Sequence, residues 1–388
     1  MGVNGAGIAA AALAIAIPAA CVSIPASIAV ARRTDFLDRP REYRRHAVAT
    51  PLLGGAAVLC AVLVAAATLG AISGRWAVAL GCAAALWALG TLDDRVVVAP
   101  KWRLLAEAGV GVALFAAGLR FRTGLGGDVD LLATVTWVIV LVNAFNLMDN
   151  LDGACAAVTL TCAVGLGTLA ALTHDRDATV IAFALAGAAG AFLRWNLSSP
   201  SRQFLGDGGS MTIGMLVAVL GLAVTDHAGA SAPLGACLLA GLPLLDAALV
   251  SVSRYRRGVP LVTGGRDHLS HRLLGALGSP RRVALALCLA QSGLSAVGVA
   301  CERIGAGAVI SGSAVVLIAG ALAVVTLDSA RWRPAGIATT DVLRIPSMRP
   351  VPRALALAVG ITTAEVPRVP SLRPVPRPLA VAAQAEAE

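Results

Sequence analysis

Long runs of Ala, Leu, Val and Gly, broken at intervals by short clusters of charged and turn residues, set the pattern of this chain. Cutting at the breaks yields eleven apolar stretches, at about 8–31, 52–72, 76–92, 102–119, 131–148, 154–173, 178–195, 210–225, 229–252, 283–301 and 306–327. Most approach the ~20 residues that a helix needs to cross a hydrocarbon layer. The period-two alternation of a transmembrane barrel strand is weak, and the small-residue content favours closely packed helices. The predicted fold class is therefore all-α, a polytopic transmembrane helical bundle of about eleven spans. The first 31 residues carry no Lys, Arg, Asp or Glu, so the basic leader of a secretory signal is missing and residues 8–30 are expected to be a retained span.

Composition agrees with the pattern. Of 388 residues, 57% are hydrophobic and 14% charged, with a mean hydropathy of +0.80, values that exclude a soluble domain of this length. The basic residues add an orientation. The loops after the first, third, fifth, seventh and ninth stretches hold 18 of the 31 Lys and Arg, and the opposite loops hold 5. The positive-inside rule then puts the odd-numbered loops in the cytoplasm, so the polar motifs are expected to face inward from a cytoplasmic membrane. The eight cysteines lie in or beside apolar runs without a CxxC pair and read as reduced small hydrophobes. Two domains are expected: a membrane domain over residues 1–327 and a cytoplasmic tail over 328–388. In the tail, RIPSMRPVPR (344–353) recurs as RVPSLRPVPR (368–377), and proline at that density predicts disorder.

Polar chemistry concentrates at a few breaks. In VNAFNLMDNLDG (142–153), Asn143, Asn146 and Asn150 fall within about 60° of one another at 100° per residue, and Asp149 and Asp152 form a neighbouring ridge. An Asp at the middle of a membrane helix costs about 2.5–3.5 kcal/mol, so these two should sit at a helix end or line a wet cavity. Asparagine suits a uracil, ribose or acetamido group, and the carboxylates suit a metal or a ribose hydroxyl. In GTLDDR (90–95), Asp93 and Asp94 are adjacent; one pKa should rise unless a cation sits beside them, and Mg²⁺ is the economical partner. FLGDGGS (204–210) presents a Gly-rich turn at a helix start, where backbone N–H groups meet phosphate and Asp207 can hold the neutralising metal. RDHLSHRL (266–273) contributes His268, His271 and Arg272, better suited to charge and hydrogen bonds toward a diphosphate than to zinc, because no third ligand is nearby. The first basic loop, with Arg45 and His46, is expected to meet an anionic lipid phosphate. Lys101 and Asn196 complete the substrate-binding candidates.

In this order, DRP–RRH–PLLGG, GTLDDR, NAFNLMDNLDG, FLGDGGS and RDHLSHRL resemble the polyprenyl-phosphate N-acetylhexosamine-1-phosphate transferases, over about residues 8–327. The resemblance implies transfer of a sugar 1-phosphate from a UDP-sugar to a polyprenyl phosphate with release of UMP, starting cell-envelope glycan synthesis. The wording of the motifs is closer to the N-acetylglucosamine-1-phosphate branch; the phospho-N-acetylmuramoyl-pentapeptide branch is the alternative, and an inactive scaffold or a transporter is the reading from another class. It implies Mg²⁺, with Mn²⁺ as a substitute, held by Asp207 and Asp149. Asp93, Asp94, Asp149 and Asp152 take catalytic roles, and His268 and His271 engage the sugar nucleotide. The expected partners are the UDP-sugar, the lipid acceptor, the membrane and a second copy in a homodimer, with no nucleic acid. Three positions depart from the pattern: Asn150 stands where the family usually has Gly, Ser270 where it usually has His, and Val97 where some members have a third acid.

Overall fold

In a computed structural model, residues 4–39, 49–226, 228–261 and 265–329 are described. They form thirteen α-helices: α1 (Gly5–Arg33), α2 (Gly54–Thr68), α3 (Gly74–Asp93), α4 (Pro100–Ala116), α5 (Gly127–Met148), α6 (Ala154–Leu172), α7 (Arg176–Asn196), α8 (Gly206–Val224), α9 (Ala232–Leu239), α10 (Gly241–Arg257), α11 (Leu269–Leu277), α12 (Pro280–Ile304) and α13 (Ala306–Leu327). The chain is all-α with a trace of sheet, in which β1 (Leu37–Asp38) pairs antiparallel with β2 (Thr50–Pro51), Leu37 opposite Pro51. Among the described residues, eight helices are long and apolar enough to cross a membrane, or nine if one bent pair is a single span. Each predicted stretch has its helix, but α2 and α4, at 15 and 17 residues, are short. The predicted tail lies, from residue 330 onward, outside the described residues.

Two elements differ from the apolar pattern. The stretch predicted over 229–252 is broken, α9 and α10 meeting at 79°. Pro243 lacks the N–H that would bond Leu239 four residues back. Gln291 of α12 closes the gap instead: its Nε2 donates to the Leu239 carbonyl at 2.8 Å and its Oε1 accepts from Leu242 N at 3.0 Å. The second difference is α11, a helix inside what reads as loop, stopped at Gly278 in the left-handed conformation. The break makes a prediction. Gln291→Leu leaves two buried backbone groups unpaired and should destabilise the protein by about 1–3 kcal/mol per group. Thermal unfolding in detergent, followed with a thiol-reactive dye against buried Cys155 and Cys162, would measure it; an unchanged midpoint would mean the break is held by other contacts.

The helix α8 is the axis of the bundle. Every one of its residues is buried except Asp207. It packs against α3 and α5 most extensively, then α2 and α6. Small residues let backbones meet at its start: a Cβ on Gly90 would lie 2.5 Å from Gly208 N, and one on Gly55 2.1 Å from Gly209 Cα. The polar motifs gather where α3, α5 and α7 end and α4, α6 and α8 begin, as the hydrogen bonds between these termini show. At the far end a separate charged group joins Arg75 to Asp175 at 2.9 Å and Arg122 to Asp226 at 2.5 Å. All eight cysteines are free thiols.

Candidate active site

The GTLDDR turn delivers its two carboxylates to different tasks. Asp93 ends α3 and accepts from Val98 N at 2.6 Å and from the Arg103 guanidinium at 2.7 Å. Asp94 caps the start of α8, accepting from Asp207 N at 3.1 Å and Gly208 N at 3.4 Å. Gly206, at φ +74°, makes the turn that brings those amides there, and a Cβ on it would lie 2.6 Å from Asp94 Oδ2. Burial first, and then the charge of Asp207, push the Asp94 carboxyl up to about 7, against the pull of its two backbone amides. Like-charge neighbours thus resolve in two ways: Asp93 has its cation, and Asp94 holds its proton more tightly.

Arg103 is the hub. One of its nitrogens binds Asp93, the other donates to Asn146 Oδ1 at 2.9 Å, and the guanidinium lies 3.9 Å from Asp207. Asn146 in turn donates to Asp207 Oδ1 at 2.9 Å and to Ser210 Oγ at 3.0 Å. Asp93, Asp94, Asn146 and Asp207 therefore form one cluster, built on the ends of α3 and α5 and the beginnings of α4 and α8. The Asp207 side chain is 39% exposed in a cluster whose Asp93 is 7% exposed, so it is the carboxylate open to a ligand.

Asn143 lies one turn from this cluster and serves α4: it donates to Glu107 Oε2 at 2.6 Å and to the Ile139 carbonyl at 2.9 Å. Asp149 caps α5, and its N–H bonds the Phe145 carbonyl. Asp152 sits in the turn before α6, where burial alone pushes its carboxyl up to about 6. That turn is clamped from below by Asn196, whose Oδ1 accepts from Gly153 N at 2.6 Å while its Nδ2 donates to the Gln203 carbonyl at 2.9 Å. Asn196 is buried, so its amide organises backbone.

The histidine segment is anchored on α10. Asp246, fully buried, bonds His268 Nδ1 at 3.0 Å and accepts from Leu269 N at 2.6 Å. His271 stands 6.5 Å from His268, ring centre to centre, and burial, followed by the charges of His268 and Arg266, lowers its pKa to about 4. It is a neutral imidazole at physiological pH. Asp267 is gripped by both arms of Arg254, at 3.0 Å each, and by Arg257 at 2.5 Å. Burial would raise its pKa, but the Arg254 bonds and charge prevail and hold it at about 2. Arg272 is buried and spent within the fold, on the carbonyls of Asp267 and Leu327 and on Ser253 Oγ. Asn150 accepts a hydrogen bond from Ser270 Oγ, which joins the 149–153 turn to α11.

Of the remaining candidates, Lys101 is exposed with its ammonium 5.4 Å from the Trp102 ring, and Arg45 and His46 lie outside the described residues. Arg103, Glu107 and Asp246 escape a reading by motif. For Glu107 and Asp246 a signal was available, since each is a lone acid inside an apolar stretch, where an ionisable residue needs a partner or a purpose. Arg103 was readable only as orienting charge.

Comparison with known proteins follows this geometry. Residues 76–225, the segment from α3 through α8, match the glycosyl transferase family 4 model. The chain is similar to the undecaprenyl-phosphate alpha-N-acetylglucosaminyl 1-phosphate transferase of Escherichia coli K12, 26% identical over 70% of this chain and 78% of that one. The enzyme of the same name from Yersinia pestis is 28% identical over 71% and 79%. A Streptomyces coelicolor protein, assigned provisionally by its name to the glycosyltransferases, is 36% identical over 59% and 56%.

Proposed function

We propose that this chain, whose residues 76–225 match the glycosyl transferase family 4 model, transfers N-acetylglucosamine 1-phosphate from its UDP-sugar to undecaprenyl phosphate, releasing UMP. The observation that carries the reading is the Asp93–Arg103–Asn146–Asp207 cluster, at which four helix termini bring acids, an amide and a cation to one opening. Phosphoryl transfer between anions needs positioning and charge neutralisation more than covalent help. This cluster has the residues for both.

The donor set fits a Mg²⁺ shared with substrate. Among the described residues no three His, Cys, Asp or Glu side chains form a metal-binding group, so an all-protein cage is not supported. Mg²⁺ is commonly held by one or two carboxylates together with substrate phosphates, and Asp207 is a half-open carboxylate of the right kind. Asp207, with Asp149, would hold the ion, which would neutralise charge on the diphosphate. The protein's own groups do the rest. Arg103 offsets the negative charge of Asp93 and lies near Asp207, and Asn146 fixes the rotamer of Asp207. Asp94 holds the amides at the start of α8. His268, oriented by Asp246, and His271 would engage the sugar nucleotide.

In the reaction an acceptor phosphate oxygen forms a bond to the sugar-linked phosphorus, and the bridging P–O bond breaks with its electrons leaving on UMP. A lipid phosphate with a second pKa near ~6 is already largely dianionic at neutral pH, so no strong base is demanded. The polyprenyl chain of the acceptor would lie along an apolar face. An apolar groove of about 480 Å³ between α2 and α3 is lined by Ala56, Leu59, Leu63, Ile72 and Trp87. Ala56 follows Gly55, which abuts Gly209 at the start of α8. By the distribution of Lys and Arg, the cluster faces the cytoplasm.

The test is to incubate membranes containing the protein with radiolabelled UDP-N-acetylglucosamine, Mg²⁺ and undecaprenyl phosphate. Labelled lipid and equimolar UMP are expected, both abolished by EDTA and restored by Mg²⁺ or Mn²⁺. No labelled lipid with any UDP-hexosamine would overturn the assignment, and turnover undiminished by chelation would overturn the metal.

A further inference from the structure

Glu107 is completely buried in α4, one turn past Arg103. Its Oε2 accepts from Asn143 Nδ2, and among the described residues its buried Oε1 has no hydrogen-bond partner. Asn143 dictates what can stand opposite it. The Ile139 carbonyl takes the other Nδ2 hydrogen at 2.9 Å, which fixes the amide with an N–H toward position 107, where an acceptor is required. An ionised carboxylate would leave a charged oxygen unpaired between helices, whereas a protonated one leaves only a neutral hydroxyl there and still accepts through Oε2. The seam around Glu107 leads to the polar cluster. Three successive turns of α4 meet α5: Arg103 bonds Asn146, Glu107 bonds Asn143, and a Cβ on Gly111 would lie 2.8 Å from Val135 Cα. Positions 103, 107 and 111 follow one helical face. The outer face of α4 is open, with Trp102 57% and Leu105 61% exposed, and α4 packs far less on α3 than on α5. The first turn of α4, which carries Arg103, therefore takes its position chiefly from α5.

We propose that Glu107, as an uncharged acid, is a positioning residue for Arg103: by seating α4 on Asn143 it fixes the height and rotation at which the guanidinium meets Asp93 and Asn146. It touches no reacting atom. Its carboxyl serves as a hydrogen-bond acceptor and supplies no charge to the site. A rotation or slide of α4 on α5 would carry Arg103 away from both of its partners, and the Glu107–Asn143 bond one turn below is placed to resist it. The kinetic part of this inference rests on the transferase reading, and the structural part on the seam.

Glu107→Gln and Glu107→Met separate the acceptor from the charge. Glutamine offers the Asn143 amide a carbonyl oxygen, and methionine keeps the volume without an acceptor of comparable strength. The full chain in detergent is compared with wild type for kcat, donor KM, acceptor KM and unfolding temperature, with labelled-lipid formation as the activity. Glu107→Gln should keep at least about half of wild-type kcat and the wild-type unfolding temperature. Glu107→Met should lose about tenfold in kcat with both KM values within about threefold, and unfold a few degrees lower. On an Arg103→Lys background Glu107→Met should cost less than about twofold more, because its effect passes through the guanidinium already removed. A glutamine variant as impaired as the methionine one would show that the charge is needed and overturn the neutral acid. A fully active methionine variant, or losses that multiply with Arg103→Lys, would overturn the positioning role. If wild type forms no labelled lipid with any UDP-hexosamine, the transferase reading fails, and the same cycle read in unfolding temperature decides: coupled losses uphold the seam, and additive losses overturn it.

Discussion

Asp207→Asn should reduce turnover to about one-thousandth of wild type or less, a loss of ~4 kcal/mol in transition-state stabilisation at ~1.4 kcal/mol per decade. The substitution separates charge from shape. Asp207 accepts from Asn146 through Oδ1, a bond an asparagine oxygen can retain, and its backbone N–H would still donate to Asp94. The enclosed helix on which it stands cannot shift to offer another residue, because every other side chain and glycine of α8 is packed inside the bundle. What disappears is one negative charge at the one open position. Under the proposed mechanism that charge holds Mg²⁺ against the diphosphate, so the defect should persist at saturating donor and acceptor and respond weakly to added Mg²⁺. Labelled-lipid formation across a Mg²⁺ and Mn²⁺ titration measures it, with unfolding temperature as the control for folding. Turnover within tenfold of wild type would remove Asp207 from the metal site.

Much of this architecture was written in the chain because membrane helices announce themselves one at a time. The apolar runs gave all the long helices, and the breaks between them gave the acids. Distances in sequence carried less. Asn143 and Asn146 share a helical face, yet one serves Glu107 and the other Asp207, a division made by which neighbours α4 and α8 bring to that face. Asn196 and Arg272, polar residues in suggestive motifs, turn out to hold backbone and loop in place. The bend at Ala240 depends on Gln291, about fifty residues away, which no local pattern reports. The acids that motif reading passed over, Glu107 and Asp246, were each conspicuous as a lone acid in an oily stretch. Their partners, Asn143 and His268, explain why the membrane tolerates them.

Arg103→Lys should cost at least about a hundredfold in turnover, although it preserves the charge. The guanidinium reaches two elements at once through two nitrogens fixed in one plane, donating to Asp93 at 2.7 Å and to Asn146 at 2.9 Å. A lysine ammonium is a point charge on a flexible stem and cannot hold both directions in the same geometry. Losing the Asn146 contact frees the amide that orients Asp207, and weakening the Asp93 contact leaves a carboxylate that is 7% exposed beside another acid. Arg103→Ala is the harsher change and confounds the question, since an unpaired buried carboxylate costs ~3–5 kcal/mol of stability. The informative comparison is Arg103→Lys against the charge-free pair Asp93→Asn with Arg103→Met. The double variant should regain the unfolding temperature that Arg103→Ala loses but not the turnover, because the cation beside Asp207 is gone. Were Arg103→Lys to keep more than a third of wild-type turnover, the fork that ties Asp93 to Asn146 would be dispensable, and the order it imposes on Asp207 would have to come from Ser210 and the start of α8 alone.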